Sequence, residues 1–124
     1  MAEAIAKNVA DDVIEASSAG LVPFGEIPGT TLAVLAERGF SVAGQHSKPL
    51  RPEDLSAADL VINMTGRCGA SLFADPTPPL EDWVVGDPYG YSLPVYRAIR
   101  NQIEARVAEL AQRLRDNVNV QQTA

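Results

Sequence analysis

One apolar stripe near the C-terminus constrains the fold of this chain most strongly. Its residues recur every three or four positions, which is the spacing of one face of an α-helix. Ser92 precedes the stripe and is the expected N-cap, and the polar residues 117–124 are expected to fray. The stripe consists of Tyr96, Ile99, Ile103, Val107, Leu110 and Leu114.

Shorter helices and short apolar runs precede this long helix. Apolar residues four apart predict a first helix over residues 2–12, and Thr30 or Thr31 caps a second. Pro52 suits the first turn of a short third helix over residues 53–58. Helices that alternate with short buried strands indicate a single α/β domain over residues 1–124, with helices on both faces of a parallel sheet. The predicted strands are residues 13–18, 60–62 and 83–85, with an extended piece at 40–42.

The charge balance and the cysteine count exclude several classes of function. The chain has 10 Lys and Arg against 16 Asp and Glu, so its net charge is −6. This charge argues against nucleic acid and against an anionic membrane surface as partners. The single cysteine excludes an internal disulfide and a thiolate zinc cage, and a reducing, cytoplasmic compartment is expected. The sequence predicts no metal site and no cofactor.

Two reactive side chains have simple structural explanations. Cys68 is the only thiol, but a phosphatase-type loop needs an arginine six residues later, and that position is Ala74. Cys68 is therefore best explained as a loop cysteine without a catalytic role. His46 has no second histidine and no cysteine near it in sequence, so it is best explained as a loop residue bonded to backbone.

The segment from Asp87 to Tyr91, Asp-Pro-Tyr-Gly-Tyr, is the most informative stretch for chemistry. A carboxyl held at the apex of such a loop could protonate a leaving oxygen. The alternative is an ordinary Asp-Pro turn before the last helix, and composition alone favours that alternative. A carboxylate metal cluster formed by Glu81, Asp82 and Asp87 is a weaker interpretation, because acidic surfaces commonly carry such groups.

Four stretches, taken together in their order and spacing, resemble the low-molecular-weight protein tyrosine phosphatases, a family that includes related arsenate reductases. The similarity extends over nearly the whole chain. The stretches are Met1-Ala2-Glu3-Ala4, Ser18-Ala19-Gly20, His46 to Leu50 with Asp59 to Thr65, and Asp87-Pro88-Tyr89-Gly90.

The resemblance implies a fold and a mechanism. The fold is a three-layer structure around a four-stranded parallel sheet. In the mechanism a cysteine attacks phosphorus and forms a phosphocysteine, while an aspartate protonates the leaving oxygen. By position, Asp87 matches that general acid, Tyr89 and Tyr91 match residues that line the phosphotyrosine slot, and Ser18 matches a serine that braces the catalytic loop. An intact relative is expected to act on a phosphotyrosine protein or on a small phosphate or arsenate.

The chain also departs from the family pattern. In the family, the first and central strand and a Cys-x5-Arg loop precede the helix that starts Met-Ala-Glu-Ala, whereas this sequence starts at that methionine. Two interpretations follow: a fragment of a phosphatase or arsenate reductase, or a non-catalytic binding protein that keeps the fold. Under either, the chain is expected to be inactive as it stands. It is also expected to form a homodimer, or else to pair directly the two strands that flank the missing one.

Overall fold

A computed structural model describes residues 1–20, 29–42, 45, 48–67, 79–86 and 91–123, with side chains as far as Asn117. Strands β1 and β2 form a parallel pair in which Val61 lies opposite Leu80 and Asn63 opposite Asp82. The predicted α/β class is confirmed. The elements in chain order are α1 (Ala2–Val9), α2 (Gly29–Glu37), α3 (Pro52–Ala57), β1 (Val61–Asn63), β2 (Leu80–Asp82) and α4 (Leu93–Thr123).

Helix α4 provides the surface on which α1 and α2 pack. The predicted apolar stripe is buried from Tyr96 to Leu110, and Leu114 packs against the same core. Both α1 and α2 contact α4. None of the described helices is long and apolar enough to cross a membrane. The stripe therefore serves as the centre of the core, as its periodicity predicts.

Helix α1 is buried through small side chains that let it approach α4 closely. Ala4, Ile5 and Ala10 have no solvent exposure. The helix ends at Val9, three residues earlier than predicted. The chain then turns, with the N–H groups of Val13 and Ile14 both donating to the carbonyl of Ala10. Beyond the turn, Asp12 accepts a two-pronged ion pair from Arg115, which ties this end of α1 to α4.

The strand predicted over residues 13–18 is wrong. Residues 11–13 form a turn and residues 14–19 have no regular secondary structure. A strand needs a neighbour for its backbone N–H and C=O groups, and the nearest backbone pairing begins only at Gly20, which exchanges hydrogen bonds with Lys48 and Leu50. Direct pairing of this segment with β1 is likewise wrong for the described residues, in which β1 has only β2 as a strand partner.

Two other strand predictions need correction. The last strand is β2, Leu80–Asp82, rather than residues 83–85, because the pairing ends where the Trp83 N–H donates to the Asn63 carbonyl. Residues 40–42 form no strand, and the sheet formed by the described residues consists of β1 and β2. Helix α4 extends from Leu93 to Thr123.

A group of charged side chains fixes α2 to α4. Arg100 on α4 is buried, and its Nη1 donates to the Val34 carbonyl and to a Glu37 oxygen, both at 2.8 Å. Arg97, one turn earlier, binds the same carboxylate through two nitrogens, at 3.0 and 2.7 Å. Satisfying the buried guanidinium in this way removes most of the cost of burying its charge.

We expect this cluster to make the stability of the fold sensitive to acid. Hydrogen bonds from Arg97, and then from Arg100, lower the pKa of Glu37 from 4.5 to about 2. Because the folded carboxyl stays ionised where the unfolded one is protonated, the cluster stabilises the fold above pH 4.5 and loses that effect as the pH falls towards 2. Glu37→Gln should flatten the decline of the melting temperature across this window. Parallel curves for the two proteins would contradict the assignment.

Candidate active site

The carboxyl ends of β1 and β2 meet at one edge of the sheet. Ligands of open α/β sheets bind outside this edge. Here it holds Asn63 and Asp82, whose side chains are joined by a hydrogen bond of 2.8 Å from Asn63 Nδ2 to Asp82 Oδ1. Asn63 is buried, with 4 % of its surface exposed. The edge is therefore occupied by polar groups that hold each other in place.

The turn after β1 is held by side chains. The Thr65 N–H and hydroxyl both donate to Asn63 Oδ1, at 3.2 and 2.8 Å. The Arg67 N–H in turn donates to the Thr65 hydroxyl, and the Arg67 carbonyl accepts from Asn63 Nδ2. Gly66 adopts a φ of 83°, a conformation that residues with a Cβ rarely reach. This short turn leads directly to Cys68 in the sequence.

A second polar group fixes the start of α1. The Ser18 hydroxyl donates to Glu3 Oε1 at 2.7 Å, and Lys7 binds Glu3 Oε2 at 2.9 Å. Burial raises the pKa of Glu3, but the bonds from Ser18 and Lys7 and the charge of Lys48 outweigh it, so the net shift is downward. The carboxylate thus stays ionised beside the helix N-terminus, which favours negative charge.

A third group fixes the end of β2 against α4. Arg113 donates to both carboxylate oxygens of Glu81, at 2.9 and 3.1 Å, and the Trp83 indole N–H donates to the same side chain at 3.2 Å. The hydrogen bond from Arg113 is the main cause of a lowered pKa at Glu81. These contacts fix the end of β2, after which the sequence continues to Asp87.

The described structure includes two of the four predicted site residues. Ser18 bonds to Glu3 at the start of α1, and Tyr91 lies just before α4 with 66 % of its surface exposed. Asp87, Tyr89, Cys68 and His46 lie outside the described residues. Among the residues that are described, no group of three or more His, Cys, Asp and Glu side chains is arranged to hold a metal.

Two polar residues at the site were not predicted to be functional. Asn63 ends an apolar run, and Glu3 stands on the buried side of α1, so both belong to apolar surroundings in the sequence. A polar residue at the carboxyl end of a buried strand is itself a signal, because that edge is where α/β proteins bind ligands. In the sequence, Asn63 and Glu3 stood out only as members of the stretches that resemble the family.

Comparison with known proteins identifies the family. The model of the low molecular weight phosphotyrosine protein phosphatases matches residues 1–120. The chain belongs to this family. It is 35 % identical over 117 residues to a glutaredoxin arsenate reductase of Synechocystis, an alignment that covers 89 % of this chain and 84 % of the relative.

Solved structures of this phosphatase family agree with the fold. An arsenate reductase in its phosphate-binding state matches with a TM-score of 0.73 and 32 % identity, covering 91 % of this chain and 86 % of that one. The YwlE arginine phosphatase, solved as a cysteine-to-serine mutant with a phosphorylated active-site serine, matches with a TM-score of 0.80 and 27 % identity. That match covers 92 % of this chain and 86 % of the phosphatase.

Proposed function

We propose that this chain forms the acid-bearing, substrate-lining side of a phosphoryl-transfer site of the low-molecular-weight phosphatase type. The observation that carries the proposal is the match of the family model to residues 1–120. Asp87 acts as the general acid, and Tyr89 and Tyr91 line the slot for the phosphate ester. Ser18 braces the region at the N-terminus of α1, a role that its bond to Glu3 supports.

The proposed step transfers one proton and releases one leaving group. As the bond between phosphorus and the phenolic oxygen breaks, protonated Asp87 gives its proton to that oxygen, and the product leaves as a neutral phenol. A thiolate forms the new bond to phosphorus, giving a phosphocysteine that water later hydrolyses. Asp87 thus acts on the leaving group and needs a separate nucleophile.

None of the 124 residues fits the role of that nucleophile. Cys68 is the only cysteine, and Ala74 stands where the clamping arginine of a Cys-x5-Arg loop is needed. We therefore propose that these residues by themselves do not turn over a phosphate ester. The same observation favours a second candidate function, a non-catalytic binding protein that keeps the fold. Supplying the loop, as described in the Discussion, separates the two.

The substrate class follows from the chemistry that the relatives share. Their names refer to arsenate, to a phosphate-binding state and to an arginine phosphatase, and arsenate and phosphoryl groups both present a tetrahedral oxyanion. For this chain we propose a phosphate ester, with phosphotyrosine as the first candidate because the family model carries that description. The net charge of −6 disfavours nucleic acid as a partner, and we propose a cytoplasmic location because the chain has a single cysteine.

The proposal predicts that the isolated chain does not hydrolyse p-nitrophenyl phosphate. Its rate of p-nitrophenol release, measured by absorbance, should equal that of buffer, and Asp87→Asn should give the same trace. A measurable rate that Asp87→Asn abolishes would show that the 124 residues contain a complete site, contrary to the proposal.

We also propose that the chain forms a homodimer through the free edge of β1. In a parallel pair successive residues direct their backbone groups to opposite sides. Val61 and Asn63 pair towards β2, so the N–H and C=O of Ile62 face away and have no backbone partner in the described part of the chain. Unpaired edges favour strand association. Light scattering after size-exclusion chromatography should give twice the mass of one chain, and a concentration-independent monomer would contradict this.

A further inference from the structure

The Asn63 side chain uses its full hydrogen-bonding capacity. A side-chain amide has two N–H donors and an oxygen with two acceptor positions. Nδ2 donates to the Arg67 carbonyl at 2.6 Å and to Asp82 Oδ1 at 2.8 Å. Oδ1 accepts from the N–H and the hydroxyl of Thr65, at 3.2 and 2.8 Å. A buried amide whose donors and acceptors are all hydrogen-bonded holds each of its partners in one orientation.

The partners of Asn63 come from two separate parts of the chain. Thr65 and Arg67 belong to the turn after β1, and Asp82 is the last residue of β2, 19 positions from Asn63. Among the described residues, the turn of residues 64–67 has no backbone-to-backbone hydrogen bond. Side-chain bonds through Asn63 and Thr65 therefore determine how this turn sits against the end of β2.

We infer that Asn63 is a positioning residue of the candidate site, which fixes the Thr65–Arg67 turn to the carboxyl end of β2. The inference rests on the proposed function, since it concerns the edge at which that chemistry takes place. The two segments that leave this edge continue in the sequence to Cys68 and to Asp87. Asn63 thereby sets where both segments begin relative to each other.

Swapping the amide of Asn63 and the carboxylate of Asp82 between the two positions tests the inference in the 124-residue chain. Asn63→Asp keeps the acceptor for Thr65 but removes both donated bonds and puts a second carboxylate beside Asp82. Amide hydrogen exchange at Thr65 and Arg67, followed by NMR, should accelerate at least about tenfold. The double variant with Asp82→Asn restores a donor between the two positions. Because the bond to the Arg67 carbonyl stays absent, its exchange rates should return part of the way towards those of the parent chain.

A second pair of variants, both at Thr65, tests the turn without changing Asn63, and exchange at a core residue distinguishes local effects from unfolding. Thr65→Val removes the hydroxyl of an exposed residue and should accelerate exchange at Arg67, whereas Thr65→Ser keeps the hydroxyl and should not. Exchange at Val107 in α4 reports global stability and should stay within about twofold throughout. The rate of Cys68 modification by a thiol reagent gives an independent report on the residue that follows the turn in sequence. It should change with Asn63→Asp and return part of the way in the double variant.

Three results would overturn the inference. These are unchanged exchange in both Asn63→Asp and Thr65→Val, a double variant no better than Asn63→Asp alone, or equal acceleration at Val107. None of these measurements depends on turnover. A failure of the proposed catalytic function therefore leaves them unaffected and remains distinguishable from a failure of this inference.

Discussion

Replacing Ile5 with alanine is expected to lower the free energy of unfolding by about 3–4 kcal/mol. Ile5 is fully buried in α1, within the core that α1 forms with α4. Alanine is the best helix former, so the cost comes from lost packing and from the cavity rather than from helix propensity. Urea unfolding followed through the fluorescence of Trp83, the only tryptophan, measures the change.

Val84→Ala is the control for this prediction. Val84 is 85 % exposed, so trimming it should change the free energy of unfolding by no more than about 0.5 kcal/mol. If Ile5→Ala cost as little as Val84→Ala, α1 would not be packed against α4 as described. The contrast between the two variants thus tests the helical core without reference to function.

The helices could be predicted from the sequence because each carries a periodic signal of its own. The stripe from Tyr96 to Leu114 spans several turns, and its spacing alone places the buried face. The starts of α1, α3 and α4 were predicted to within one residue, since Pro52 and Ser92 are local signals, whereas α2 begins at Gly29, before the predicted cap at Thr30 or Thr31. The ends of the helices were predicted less accurately, because the apolar pattern of α1 does not indicate the turn at which the helix stops.

The strands could not be located as accurately as the helices, because three residues are too few to show an alternating apolar pattern. The apolar run at 83–85 suggested a strand, but the pairing of Asn63 with Asp82 and Trp83 decides where β2 ends. Residues 13–18 have the composition of a strand yet need a partner to become one. Strand formation depends on a neighbour that is often far away in sequence, and the strand propensity of the segment itself does not reveal that neighbour.

The site was predicted only as far as the resemblance reached. Ser18 was expected to brace the catalytic loop, and the described structure gives it a bond to Glu3, 15 positions away. The roles of Asp87, Tyr89 and Tyr91 remain predictions. Asn63 was not predicted, because the value of a buried amide depends on partners such as Asp82 that only the folded chain brings near.

The proposed function predicts that joining the family's catalytic loop to these 124 residues has the largest effect on activity. An extension of Met1 by an apolar strand and a Cys-x5-Arg-Ser-Pro loop, taken from an active relative, adds the thiolate and the phosphate cradle. We expect the rate of p-nitrophenyl phosphate hydrolysis to rise at least about 10³-fold above that of the 124-residue chain, because both nucleophile and charge stabilisation are gained. Absence of any rise in a folded extended protein would favour the non-catalytic binding function.

Two controls connect that gain to the proposed residues. Replacing the cysteine of the added loop with serine should return the rate to background. Asp11→Asn changes an exposed carboxyl on the turn after α1, and it should leave the activity of the extended chain within about twofold. Together they separate chemistry at the site from general effects of charge and folding.

The role of Asp87 is tested by the pH dependence of kcat for the extended chain with and without Asp87→Asn. With Asp87 as the general acid, kcat should fall at high pH, since the leaving oxygen needs a protonated acid, and Asp87→Asn should lower kcat about 10²–10⁴-fold and remove this fall. An active extended chain whose kcat and pH profile are the same with Asp87→Asn would contradict the role of Asp87 and the proposed division of the site.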